Sequence, residues 1–464
     1  MILTKINLTR GIGFKHICNM AIPACYALLF NIVFNITDVF FAGMISVNAQ
    51  AAMSYAFPIY FIQISLCIGM SQSISVLVAQ SLGRKKFKQA SKVISHGMYL
   101  SILLSIFILC ILLPTSNYLL KFLGADGVIL DLSIDYLYPL FYGSPIWIFV
   151  FLLYGSMSGM GNTVTFRNAT LIACIINIAL DPIFIFGWGF IPAFGISGVG
   201  WATIACQFII FIYMSIVIYR KKMFHKVVFN IRSFDYLFLY KIIKTAAAPS
   251  IRILLINVGY SIIIFFLSFY SAAAVAGYII ALRLERFFLV PIVALENAVI
   301  AYSGQNLGAN NYKRVISVFR KSCIRGIWFT CLISFFIVMF GETIIGFFTD
   351  DDDVIRHGLY YLWMAAATAP LYAIIEISSG IFLSTGNHKI LLGINIGRFV
   401  MPIFFVFCSS VFFDLGVFGL WFSLFLSNFL TTIYVFCQIK RIIKNLPNLK
   451  YTDKLPRELD EEFV

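Results

Sequence analysis

Two carboxylates, Asp38 and Asp181, stand inside long apolar stretches of this chain, where a lone ionised group is costly. Each ends a polar stripe at helical spacing: Asn31, Asn35 and Asp38 follow i, i+4, i+7, and Thr170, Cys174, Asn177 and Asp181 keep the same rhythm. Each stripe therefore lies on one helix face. Thr203, shortly after Gly195-Ile196-Ser197-Gly198, is expected at a comparable depth. Two acids brought together hold a proton between them or share a small cation. Carboxylate, amide and hydroxyl oxygens suit a hard ion such as Na⁺ better than a transition metal. The expected chemistry is ion coupling, by H⁺ or Na⁺, at Asp38, Asp181, Asn177, Thr203 and Asn35, with no cofactor and no other metal. Pro182 cannot bond to the carbonyl of Ile178, which leaves one more oxygen beside Asn177 and Asp181. Plainer roles compete: a structural ion pair or hydrogen bond for the acids, and ordinary helix contacts for Asn177 and Thr203.

The elements that must position these groups follow from composition. The chain is 61% hydrophobic and 12% charged, with a mean hydropathy of +0.93, against soluble averages of about 45–50% and about 25%. Apolar runs long enough for a bilayer are read near 15–42, 52–80, 93–114, 132–160, 168–190, 198–219, 240–270, 273–303, 316–348, 356–384, 389–412 and 416–438. The fold class expected is an all-α polytopic membrane protein of twelve transmembrane helices. Its start lacks a short apolar core with a small-residue cleavage site, so no cleaved signal peptide is expected. The ten cysteines, without a CxxC pair, read as small packing residues.

The net charge of +14 is distributed as topology. Lys and Arg cluster before span 1 and after the even-numbered spans, while odd-numbered loops carry little beyond Lys121 and Arg356. The positive-inside rule places both termini in the cytoplasm, and nothing in this pattern asks for a nucleic-acid partner. Gln80-Ser81-Leu82-Gly83 returns as Gln305-Asn306-Leu307-Gly308, an offset of 225 residues, and Pro145, Gly155 and Gly161-Asn162 return as Pro370, Gly380 and Gly386-Asn387. The halves are therefore two copies of one unit, six spans each, in parallel orientation about a pseudo-twofold axis with a substrate path between them. The expected organisation is a lobe at 1–219, a cytoplasmic loop at 220–239 that lies along the membrane surface, a second lobe at 240–440 and a tail at 441–464. Asp38 and Asp181 have no acidic counterparts near Ile263 and Pro402, so coupling is expected in the first lobe.

Asn35-Ile36-Thr37-Asp38-Val39-Phe40-Phe41-Ala42-Gly43, Asn177-x3-Asp181-Pro182, Gly195-x2-Gly198 and the twin Gln-x-Leu-Gly loops resemble the multidrug and toxic compound extrusion (MATE) family, over about residues 12–440. The resemblance implies a two-lobed antiporter that exports organic cations, drugs or toxic metabolites against an inward proton or sodium gradient, in a bacterial plasma membrane. It places the coupling acids of one branch at Asp38 and Asp181, with Asn177 and Thr203 beside them, and a helix-bending proline at Pro23. Small amphipathic or cationic substrates and the bilayer are the partners implied, and a monomer is expected.

The chain departs from that pattern in places. Met157-Ser158-Gly159 and Leu383-Ser384-Thr385 stand where the family often has Leu-Arg-Gly, and span 7, where another branch has a coupling glutamate, contains Arg252 and no acid. Glu296 and Glu376 are secondary polar sites without an assigned role, and Arg398 is expected to pair with one of them or to bind an anion. Arg283, Glu285 and Arg286 form a charge cluster expected to pair internally rather than to contact substrate, which is the competing reading. Met20, Met157 and Met160 line a promiscuous cavity or, more simply, pack in the core, and Asp350 to Asp353 form a solvated outer loop. A flippase for lipid-linked saccharides, from the same broad superfamily, is the alternative function, but it needs a larger Arg- and Lys-lined cavity. No HExxH or GxSxG supports a membrane enzyme. A scaffold has little reason to keep polar stripes in spans 1 and 5.

Overall fold

Long apolar runs can satisfy their backbone in lipid only by closing it into helices, and the computed structural model is helical almost throughout. It describes residues 7–189, 191–220, 234–411 and 416–445. The first half runs α1 Gly13–Ile45, α2 Val47–Gly83, α3 Phe87–Phe122, α4 Gly127–Tyr142 with Ser144–Gly159, α5 Val164–Phe186 and α6 Ile196–Arg220. The second runs α7 Tyr236–Ser268, α8 Ala272–Gly308, α9 Tyr312–Gly346, α10 Asp352–Ser384, α11 His388–Ser409 and α12 Gly416–Asn445. Among the described residues, ten helices are long and apolar enough to cross a membrane, and the two pieces of α4, bent by 52°, make one more. The remaining helix, α8, is 37 residues long but carries Arg283, Glu285 and Arg286 in its apolar run. The protein is a polytopic membrane protein of twelve helices. The expected inter-lobe loop lies mostly outside the described residues, as does the tail beyond 445.

The helices outrun the apolar stretches because their ends are held by local polar bonds. Ser46 caps α2 by accepting from the Ala49 N–H at 3.0 Å, and Ser271 caps α8 on the Ala274 N–H at 3.0 Å. These caps are again 225 residues apart. Asp351 caps α10 on the N–H groups of Asp353 and Val354, and Asp353 pairs with Arg356 at 2.6 Å, so the acidic run starts a helix rather than forming only a loop. The break in α4 falls at Gly143, beside Pro145 near the start of its second piece, where proline's missing N–H is an orphan in any case. The repeated Gly-Asn turn holds Gly161 at φ 86° and Gly386 at φ 73°, a region that glycine enters without the Cβ clash.

Packing exchanges the first helix of each half. α1 lies against α5 of its own half and against α8 of the other, while α7 packs on α2. Gln72 on α2 donates to Asn297 Oδ1 on α8 at 3.4 Å, a pair related by the same offset across the central axis. Toward the end that carries the Lys and Arg clusters the halves interlock. Gln80 Nε2 donates to the Ser384 carbonyl at 2.8 Å, and Gln305 Nε2 to the Gly159 carbonyl at 2.9 Å. Gly83 lies on the backbone of Gln305 and Gly308 on that of Gln80, so closely that a Cβ at Gly83 would stand 2.8 Å from the Gln305 carbonyl carbon. The Leu8 carbonyl accepts from Asn306 at 3.2 Å and the Gly11 carbonyl from Arg314 at 2.9 Å, fastening the segment before α1 to the second half.

Candidate functional site

In the first half, α1, α5 and α6 bring four polar side chains into one buried group. Asn177 Nδ2 donates to Asp38 Oδ1 at 3.1 Å and to Asp181 Oδ1 at 2.9 Å, and Thr203 Oγ1 donates to Asp38 Oδ2 at 3.3 Å. Asn177 and Asp181 are fully buried and Asp38 and Thr203 nearly so. The i, i+4 spacing of Asn177 and Asp181 allows one amide to bridge both acids, because the α5 stripe faces α1 directly. Asn177 Oδ1 and Asp181 Oδ2 are buried and accept no hydrogen bond from the described residues. A proton on one carboxyl, or a small hard cation among these oxygens, would meet acceptors already in place.

Asn35 departs from the expectation. It is exposed, and its amide donates to the Asn31 carbonyl of its own helix at 2.7 Å. Asn31 and Asn35 instead line a cavity of about 370 Å³ between α1 and the second half. At about 100° per residue, Asn35 and Asp38 sit some 60° apart around α1. That is enough to divide a stripe between the lobe interior and the gap beside it. Pro23 is buried within α1, which remains helical on both sides of it.

The second half carries a different polar group. Arg252 on α7 makes a two-pronged pair with Glu296 on α8, at 3.0 and 3.3 Å, and also reaches Glu376 on α10 at 2.6 Å. Glu376 in turn accepts from Arg398 on α11. Two cations and two anions thus join four helices where an unpaired charge would be expensive. The expected partner of Arg398 is there, but the hub is Arg252, for which sequence reading named no partner. Its signal was present: an arginine in an apolar span requires acids, and of Glu296 and Glu376 only one could be answered by Arg398 alone. The positions equivalent to Arg252, Glu296, Glu376 and Arg398 are Ala27, Ser71, Phe151 and Ala173, so the repeat keeps the helices and changes the chemistry.

The expected pairing of Arg283, Glu285 and Arg286 does not occur among the described residues. Glu285 accepts from the Tyr361 hydroxyl, and the Arg286 guanidinium lies over the Tyr260 ring at 4.2 Å. Adjacent residues on a helix point about 100° apart, so each finds a partner on a neighbouring helix. Met20, Met157 and Met160 are buried in the hydrophobic core, which resolves their two readings toward packing. The described cysteines are all free.

The family description MatE matches residues 23–183 and again 249–408, one match per half. The probable multidrug resistance protein YoeA of Bacillus subtilis is 25% identical over 350 residues, covering 74% of this chain and 75% of its own. An FAD transporter of Shewanella oneidensis is 25% identical over 441 residues, covering 94% and 96%. A multidrug resistance MATE family transporter solved in an outward-facing conformation superposes with a TM-score of 0.87 at 22% identity, over 95% of this chain and 98% of the other. Matched twice over well more than half of its length by one family, the chain belongs to the MATE family, whose members are transporters and not enzymes.

Proposed function

We propose that this protein is a secondary active exporter that moves small amphipathic compounds outward in exchange for H⁺ or Na⁺, with Asp38, Asp181, Asn177 and Thr203 as the coupling site. Relatives named for multidrug resistance and for FAD transport support export of small molecules. The observation that carries the ion site is the Asn177 amide shared between two buried carboxylates. The Lys and Arg clusters support a cytoplasmic side for the interlocked end and for both termini. The cavity beside Asn31 and Asn35 is then reached from outside.

The chain of events runs through α1. Asp38 is one turn from Asn35, so the helix that holds half of the ion site also walls the cavity, and it packs on α8 of the other half. A proton or Na⁺ arriving from outside neutralises the acid pair and changes how α1 seats on α5 and α6, which favours release of substrate on that side. Loss of the ion to the cytoplasm restores the charge and resets the lobes. One charge moving inward through 100 mV supplies roughly 2.3 kcal/mol, about fortyfold in an equilibrium, before any concentration gradient is counted.

The test is dye efflux from proteoliposomes with Na⁺ and pH gradients imposed separately. Wild type should respond to one gradient, and Asp38→Asn and Asp181→Asn to neither. Full transport by both variants overturns the assignment.

A further inference from the structure

Among the described residues, one acid, Glu285, lines the inter-lobe cavity. Glu285 accepts from the Tyr361 hydroxyl, and Glu296 and Glu376 are engaged by Arg252 and Arg398. Arg286 differs. It lines the cavity, its guanidinium lies over the Tyr260 ring, and among the described residues no carboxylate stands within ion-pair distance of it. Arg398 lines the same cavity, 4.2 Å over the Tyr372 ring. Arg398 is answered by Glu376, so the charges at this wall without an ion-pair partner among the described residues are Arg286 and Glu285, the cation set among aromatic faces.

We propose that this cavity recognises a compound that joins an aromatic ring system to an oxyanion group, a carboxylate or phosphate, and that Arg286 takes the anion. A guanidinium presents paired N–H groups that match an oxyanion in a two-pronged bond. A wall of low polarity strengthens that attraction relative to water. Tyr260 and Tyr372 offer rings against which a flat substrate stacks, and Asn31 and Asn35 line the same cavity from α1. A volume of about 370 Å³ falls within the range of small-molecule sites. Glu285 lines the same cavity and holds only a hydroxyl, which allows an amino group on the same molecule, so zwitterions fit and simple organic cations fit less well. This inference rests on the export reading for its biological sense, but the binding site stands or falls by itself.

The test uses two dyes with one ring system. Rhodamine 110 carries a free carboxylate, and rhodamine 123 is its methyl ester. Fluorescence anisotropy with the purified full-length protein in lipid nanodiscs, corrected against empty nanodiscs, should show rhodamine 110 bound about tenfold more tightly, the order expected for a hydrogen bond to a charged group. Arg286→Gln should remove that preference by weakening rhodamine 110 about tenfold while leaving rhodamine 123 unchanged, and Arg286→Lys should keep part of it. Equal affinities in wild type, tighter rhodamine 123, no binding of either dye, or equal weakening of both by Arg286→Gln each overturn the proposal. Failure of the export reading shows elsewhere, as absent gradient-driven efflux from proteoliposomes while the dye preference persists.

Discussion

Gln80 and Gln305 occupy the same place in the two halves, and each donates across the interface to a backbone carbonyl of the other half, at Ser384 and Gly159. The arrangement closes one end of the protein twice over with a single device. Removing either amide takes one hydrogen bond from this interface, at a cost of about 1 kcal/mol. Gln80→Ala and Gln305→Ala should each loosen this end, and the double variant should do so by less than the sum, because the bonds share an interface. Hydrogen–deuterium exchange should rise in residues 76–83 and 300–308 while the helices near Asp181 keep their protection. Unchanged exchange in the double variant would remove the latch from the account.

The glycines beside those glutamines test closure by volume. A methyl at Gly83 collides with the backbone of Gln305, and one at Gly308 with that of Gln80, and neither backbone is free to move as a side-chain tip would be. Gly83→Ala and Gly308→Ala should insert normally yet transport at less than about a tenth of the wild-type rate, since overpacking costs about 1–3 kcal/mol in the closed state alone. Transport assays normalised to membrane protein check this. Wild-type rates in both variants would show that the halves do not need this approach.

Asn177 separates a coupling role from a packing role in the acid pair. Asn177→Ala removes the amide that both carboxylates share, leaving the acids in place. Gradient-driven efflux should fall at least about tenfold, whereas passive dye binding should persist. Thr203→Ala, which removes one 3.3 Å bond to Asp38, should cost only a few-fold, in line with a modest single bond. A Thr203 effect larger than that of Asn177 would contradict the geometry.

Arg252 is expected to matter first for stability. Arg252→Met strands Glu296 and removes one of two cations from Glu376, and a broken buried pair costs about 3–5 kcal/mol. The double variant Arg252→Met, Glu296→Gln restores the balance of charge and should recover a good part of the loss. Thermal unfolding in detergent reads both, and a single variant as stable as wild type would show the pairs to be dispensable.

A surface pair supplies the pH dependence. Lys92 reaches Asp235 at 2.8 Å, tying α3 to the start of α7. Burial pushes the Asp235 carboxyl up, but the bonds from Lys92 and the Phe238 N–H outweigh it and hold the group below the usual carboxylate range. A depressed folded value means that this stabilisation is present above the unfolded value of about 3.9 and is lost as pH falls through the folded one. Asp235→Asn should therefore lower the melting temperature slightly at pH 7, and the gap from wild type should close toward pH 3. A gap independent of pH would assign the effect to the helix cap alone.

Residue order by itself determined the helices and the doubling, and marked Asp38 and Asp181 as acids in need of partners. Apolar length in a bilayer permits few structures other than helices, a repeat is visible as spacing, and Asn177 and Asp181 are fixed on one face by i, i+4 geometry. The contact of Asn177 with Asp38, 139 residues away, was suggested by equal depth but decided by how α1 seats on α5. The same seating turned Asn35 away to the cavity, a 60° difference that spacing alone does not resolve. Arg252 joining Glu296 and Glu376, and the crossed bonds of Gln80 and Gln305, were settled only by tertiary packing. Sequence sets which groups need a partner, because burying a charge or an amide alone is costly; which partner each one finds depends on the relative placement of helices far apart in the chain.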